Sequence, residues 1–160
     1  MNLNPAAAES NFPSRWFPLR TFLHLPAAER RLIARAALLV AAIRIALWTV
    51  PLRRVAHMLR VIDGWNLALP GDFPVSRLEW AVRAASRRIP MASCLTQALA
   101  LQCLLTRAGH PAEVHVGVKK DTQAGFQSHA WVECEGRMLL SAPCEVAEYS
   151  RLLALGVYGD

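Results

Sequence analysis

Two residues, Cys94 and His129, have types and settings that combine into a reaction. Cys94 follows Ser93 and opens the run CLTQALALQCLLTR, which is rich in helix formers. Ser93 suits the N-cap, which puts Cys94 in the first helical turn. Backbone N–H groups there lack intrahelical acceptors, and the helix dipole adds partial positive charge beside the sulfur. That setting makes a cysteine a nucleophile, and the same N–H groups can bind an oxyanion as it develops. The plainer reading of a free cysteine is a small buried hydrophobe. Cys103, nine residues on and half a turn out of phase, is read that way, and Cys134 and Cys144 are read as inert.

His129 opens the segment SHAWVE, in which His129, Trp131 and Glu133 share one strand face. From a strand start that faces a helix N-terminus, an imidazole can hydrogen-bond a thiol and take its proton. Alone, the residue reads as a histidine on a wet sheet face. The capping cysteine 35 residues upstream favours the base. His115 lies mid-strand without that setting, and His24, His57 and His110 read as surface or turn residues. A Cys–His pair usually has a third group to orient the imidazole. Around the hairpin, His129 should stand near Ala142, so Ser141 is the nearest polar side chain on the returning strand. Glu133, Glu145 and Glu148 are the other candidates, and the sequence does not choose among them.

The elements that must position these residues follow from periodicity and punctuation. Residues 1–25 read as irregular. Pro26 precedes a helix over 27–49, Pro51 breaks it, and LRRVAHMLRVID reads as a second helix. Gly64, Pro70, Gly71 and Pro74 punctuate a loop. A third helix is expected over 75–88, with Val75, Leu78, Ala81, Val82 and Ala85 on one face. The cysteine helix should end at Gly109, with Pro111 beyond it. Residues 112–119 alternate apolar and polar as a half-buried strand. A polar loop over 120–127, a strand over 128–134, a tight turn at Glu135–Gly136 and a strand over 137–141 follow. Residues 145–155 read as a short helix. The fold class is therefore α+β: an irregular segment 1–25, a helical region 26–88, and a unit over 89–160 with one helix on a small antiparallel sheet.

Composition narrows the setting. The chain has 160 residues, 54% hydrophobic and 19% charged, enough for one packed domain and too apolar for a disordered chain. The formal charge of +6 comes mostly from arginine and invites an anionic membrane, nucleic acid or an acidic peptide. Nucleic acid is not expected, because no aromatic-interleaved basic stripe or zinc-finger spacing occurs. No C-x-x-C pair is present, so neither a zinc site nor any cofactor is expected. No apolar signal-peptide core is seen near the start. Reduced thiols and a cytoplasmic location are expected, with the inner-membrane surface as a peripheral alternative. The run LIARAALLVAAIRIALWTV is apolar, yet Arg35 and Arg44 emerge on opposite sides of it. A spanning helix is disfavoured, and a buried, membrane-surface or partner-docked helix fits better.

The run CLTQALALQCLLTRAGHPAEVHVGVKK, followed by SHAWVECEGRMLL, resembles the transglutaminase-like core of lasso peptide biosynthesis B2 proteins. The resemblance covers residues 90–155, and the preceding Arg- and Leu-rich helices also look like that family. It implies a papain-like cysteine leader peptidase, with Cys94 as nucleophile and His129 as base. It also implies a precursor peptide as substrate, a separate B1 protein that recognises the leader, and an ATP-dependent cyclase acting on the freed core. Sheet patterning begins only after residue 110, so no leader-recognition domain is expected within this chain. Where the family has an aspartate, this sequence has Ser141. That departure supports an alternative: a weak or inactive peptide-binding scaffold on the same fold.

Overall fold

The computed structural model describes residues 25–63, 73–121 and 125–156. The expected irregular segment, save Leu25, and the loop residues Gly64, Pro70 and Gly71 lie outside them. So does His24.

Five helices and four strands are found among the described residues. The helices are α1 (Ala27–Thr49), α2 (Leu52–Asp63), α3 (Val75–Ser86), α4 (Cys94–Arg107) and α5 (Pro143–Val146). The strands are β1 (Ala112–Asp121), β2 (Gly125–Cys134), β3 (Arg137–Leu139) and β4 (Ser150–Gly156). They form one antiparallel sheet in the order β3-β2-β1-β4. The architecture is α+β, as the patterning implies.

Helix α4 occupies the centre. Its residues from Ala98 to Leu105 are buried, on every side of the helix. One side meets α1 and α3 through Ile33, Ala36, Val40, Leu78, Ala81 and Val82. Another meets the sheet through Val114, Ala130, Val132 and Leu139. Each large aliphatic side chain buried here contributes about 1.5–3 kcal/mol. One continuous core thus joins the helical region to the sheet across residues 88 and 89. Gln102 fastens α4 by polar means: its Nε2 donates to Ala112 O at 3.2 Å and to Leu155 O at 2.6 Å, at the ends of β1 and β4.

Four boundaries differ from expectation. Helix α3 stops at Ser86 rather than at residue 88. Strands β1 and β2 extend to Asp121 and from Gly125, so residues 120–121 and 125–127 of the expected loop are strand. Strand β3 ends at Leu139 rather than 141, because Leu140 turns into the left-handed region with φ 69°. The tail read as a helix over 145–155 is instead the four-residue α5 followed by β4. Its alternation is hidden by a bulge: Val116 pairs with Leu153 but Gly117 with Arg151, leaving Leu152 unopposed. The tight turn stands as read, with Glu135 at φ 51° and Gly136 at 74°, the pattern of a two-residue I′ hairpin.

Candidate active site

Cys94 is the first residue of α4, and Ser93 caps the helix. The Ser93 hydroxyl accepts from the Thr96 N–H at 3.3 Å and lies 2.9 Å from Thr96 Oγ1. Gln97 Nε2 donates back to Ala92 O at 3.2 Å, fixing the chain that leads into the helix. The cap consumes one first-turn donor, and helix geometry leaves those of Cys94 and Leu95 without an intrahelical acceptor. Cys94 is half-buried and rests on the core.

The other thiols differ. Cys103 and Cys134 are buried, and burial, then the Glu135 carboxylate, pushes the Cys134 thiol up against a smaller opposing effect of Arg137. Cys144 is exposed on α5, so it is not a core cysteine.

His129 lies on β2, in register with Gly117 of β1. Its Nε2 is 2.5 Å from Ser141 Oγ, so the residue nearest by hairpin counting is the one that meets the ring. The ring also lies against Tyr149, with centroids 5.5 Å apart, and stacks on Trp131 at 6.5 Å. His115 also stacks on Trp131, at 5.7 Å. Gly117 makes room for this column. A Cβ there would come within 3.0 Å of Tyr149 Cβ and 3.1 Å of the Trp131 ring.

This sheet face is covered at its centre and open at Glu113 and Arg151, so His115 is where it departs from the half-buried pattern expected of β1. Trp131 is 0% exposed and His115 5%. His115 is therefore an interior residue, and its Nε2 lies 3.4 Å from Glu133 Oε2 and 3.7 Å from Glu113 Oε2.

The other acidic candidates are occupied elsewhere. Glu133 accepts from Arg151 Nη2 at 2.6 Å and from Trp131 Nε1 at 3.3 Å. Glu145 accepts from the Ala142 N–H at 3.0 Å and so caps α5. Glu148 pairs with Lys119 at 3.1 Å. Of the four candidates for the third group, Ser141 is the one with a recorded contact to His129. Sequence reasoning missed Tyr149, which lies in the tail read as helix. It also missed Glu79 of α3, which accepts from the Leu140 N–H at 2.9 Å beside Ser141. Among the described residues, no group of three or more His, Cys, Asp or Glu could hold a metal ion.

Alternation divides β2. Ala130, Val132 and Cys134 join the core under α4, whereas His129, Trp131 and Glu133 project from the other face. Strand β3 pairs with β2 only over Val132–Cys134. Beside His129 the neighbour is thus the Ser141 side chain rather than a further rung of that ladder.

A cysteine at the start of a central helix, on a sheet that presents a histidine in an H-A-W strand, defines a cysteine-protease-like α+β fold. The chain belongs to the transglutaminase-like superfamily, whose family pattern matches residues 37–154, and that superfamily includes cysteine proteases. The match begins within α1 and ends within β4, so it takes in much of the helical region as well as the sheet. No curated protein and no solved structure matches the chain.

Proposed function

We propose that this protein is a cysteine peptidase that removes the leader from a ribosomally made lasso peptide precursor. The observation that carries the reading is the His129–Ser141 contact. It engages Nε2 of the ring at the family's aspartate position and leaves Nδ1 for a thiol. The thiol is that of Cys94: among the described residues no hydrogen bond joins it to His129, and α4 packs on the opposite face of the sheet, so it has to reach the ring around the end of β2 that β3 leaves unpaired.

The chemistry is as follows. His129 takes the Cys94 proton as the sulfur attacks the scissile carbonyl carbon. First-turn N–H groups of α4 receive the oxyanion. The C–N bond then breaks, the imidazolium gives its proton to the leaving amine, and a thioester remains. Water, deprotonated by His129, hydrolyses the thioester, releases the leader carboxylate and restores the thiol. Recognition of the leader falls to a separate B1 protein, and the freed core passes to an ATP-dependent cyclase.

The test is cleavage of a lasso precursor peptide, sought among the genes beside this one, with a B1 protein present. Cys94→Ala should abolish cleavage while the thermal melt stays that of the parent. Full activity in that variant ends the reading. A scaffold without catalysis is the second reading, favoured by the serine at the aspartate position. It predicts that iodoacetamide labels Cys94 no faster in the parent than in His129→Ala.

For location, we propose a peripheral site on an anionic membrane. Leu38, Ile45 and Trp48 of α1 are 71%, 63% and 71% exposed. At about 100° per residue they lie on the side opposite the buried Leu32, Ile33, Ala36, Val40 and Ile43. Arg31 is exposed on the same side, and the Arg44 guanidinium lies 4.8 Å from the Trp48 ring. The one acid of α1, Glu29, pairs with Arg77. An apolar stripe with basic flanks and no acid complements an anionic lipid surface.

A further inference from the structure

We propose that Glu79 is a positioning residue for His129 and acts through Ser141. This inference rests on the reading of His129 as the catalytic base.

The geometry starts from strand parity. Leu139 pairs with Val132 and shares the core face beneath α4. His129 is three residues before Val132, so it projects from the opposite face. Had β3 continued as a regular strand, Ser141 would share the face of Leu139 and point away from His129. It does not, because Leu140 adopts φ 69°. A left-handed leucine costs about 1–3 kcal/mol and persists only where its surroundings impose it.

Glu79 supplies that constraint. Its Oε1 accepts from the Leu140 N–H at 2.9 Å. Arg83 holds the same carboxylate through Nε at 3.1 Å and Nη2 at 2.9 Å, one helical turn along α3. The carboxylate is therefore aimed before it meets the turn. Removing it leaves the Leu140 N–H without its acceptor and the strained turn without its clamp. The backbone then relaxes toward the extended form, and Ser141 swings off Nε2. An α3 residue outside the reacting groups thereby sets the orientation of the imidazole.

The experiment uses the full chain in four variants: Glu79→Ala, Glu79→Gln, Ser141→Ala and the double variant Glu79→Ala/Ser141→Ala. Two readouts are taken: the rate of Cys94 alkylation by iodoacetamide from pH 5 to 9, and the ring 15N shifts of His129. Glu79→Ala should lower the His129-dependent alkylation near pH 6 by about tenfold, the size of a direct-contact coupling. It should also shift the His129 ring nitrogens. Glu79→Gln should restore both, since its amide oxygen can accept from the Leu140 N–H. In the Ser141→Ala background, Glu79→Ala should add nothing further. The inference is overturned if Glu79→Ala leaves the His129 shifts as in the parent, or if its effect persists in full without Ser141. A general loss of fold would show as a failure of Glu79→Gln to rescue, which also overturns it. If His129→Ala leaves Cys94 alkylation as fast as in the parent, the peptidase reading fails. The ring shifts then still decide the Glu79–Ser141 link.

Discussion

A serine hydroxyl orients an imidazole less firmly than a carboxylate does, because it offers no charge to the imidazolium that forms during the reaction. Hydrogen bonds to charged groups are worth about 1.5–3 kcal/mol, against about 0.5–1.5 for neutral pairs. Ser141→Asp should therefore raise kcat/KM by about tenfold, with most of the change in kcat, as measured on the precursor. An unchanged or lower rate would mean that a carboxylate there does not serve His129. The thiols allow a second test. Burial raises the Cys134 thiol above its usual value of 9.0, so the unfolded chain gives up that proton first. Between the two values the folded state holds more protons, and stability falls as pH rises. The contribution is thus complete below about pH 9 and lost above it, and a Cys134→Val variant should show a flatter melt profile from pH 8 to 11. A profile identical to the parent's would contradict this. At this scale the sequence was informative about single residues: the cap at Ser93 and the buried Cys103 follow from spacing, and Ser141 is the polar residue nearest His129 in the chain count, although its contact with the ring depends on the turn at Leu140. Glu79 did not, because its acceptor role depends on Leu140, 61 residues away, entering a conformation that no glycine announces.

Element boundaries were legible wherever local chemistry set them. Proline and the helix formers mark α1, α2 and α4, and Gly109 at φ 85° ends α4 as its position suggests. Strand β4 was not legible, since the bulge at Leu152 breaks its alternation and its ladder is made with distant β1. The same bulge brings Arg151 to Glu133 and places Tyr149 over His129. The column of His115, Trp131, His129 and Tyr149 therefore depends on Gly117, where nothing larger fits beneath the rings. Gly117→Ala should displace Trp131 or Tyr149, destabilise the fold by about 1–3 kcal/mol through overpacking, and broaden the His129 ring signals. Urea melts and NMR of the variant check this, and an unaltered ring spectrum would show that the sheet absorbs the methyl group elsewhere. Gln102 offers a comparison at the other end of the sheet. Gln102→Leu removes the donor to both Ala112 O and Leu155 O, at about 1–3 kcal/mol for the buried Ala112 carbonyl and less for the part-buried Leu155 one, but should leave His129 unaffected.

For the whole molecule, α4 is a shared wall between the helices and the sheet, so α1 spends one side on the core and presents the other to solvent. The apolar run over 32–50 reads in sequence as a buried, membrane-surface or partner-docked helix, and the structure buries one side of it, Leu32, Ile33, Ala36, Val40 and Ile43, while Leu38, Ile45 and Trp48 stay exposed. By length and composition α1 could cross a membrane, yet 28% of its most apolar stretch is buried within the protein. Leu32, Ala36, Val40 and Ile43 are bound into the core, and withdrawing them to span a bilayer would dismantle it. Lying along a surface requires no such change, since Leu38, Ile45 and Trp48 already face outward. The full chain should therefore cosediment with vesicles rich in phosphatidylglycerol at low salt and dissociate as salt screens the arginines. Each large side chain buried in the interface adds about 1.5–3 kcal/mol, so replacing both Leu38 and Ile45 by aspartate should weaken binding by about a hundredfold or more. The core is untouched by those changes, and the thermal melt should stay close to that of the parent. Equal binding to neutral vesicles would remove the electrostatic half of the proposal. No binding to either kind of vesicle would leave the stripe to a protein partner or to another segment of this chain, and the membrane assignment would fall.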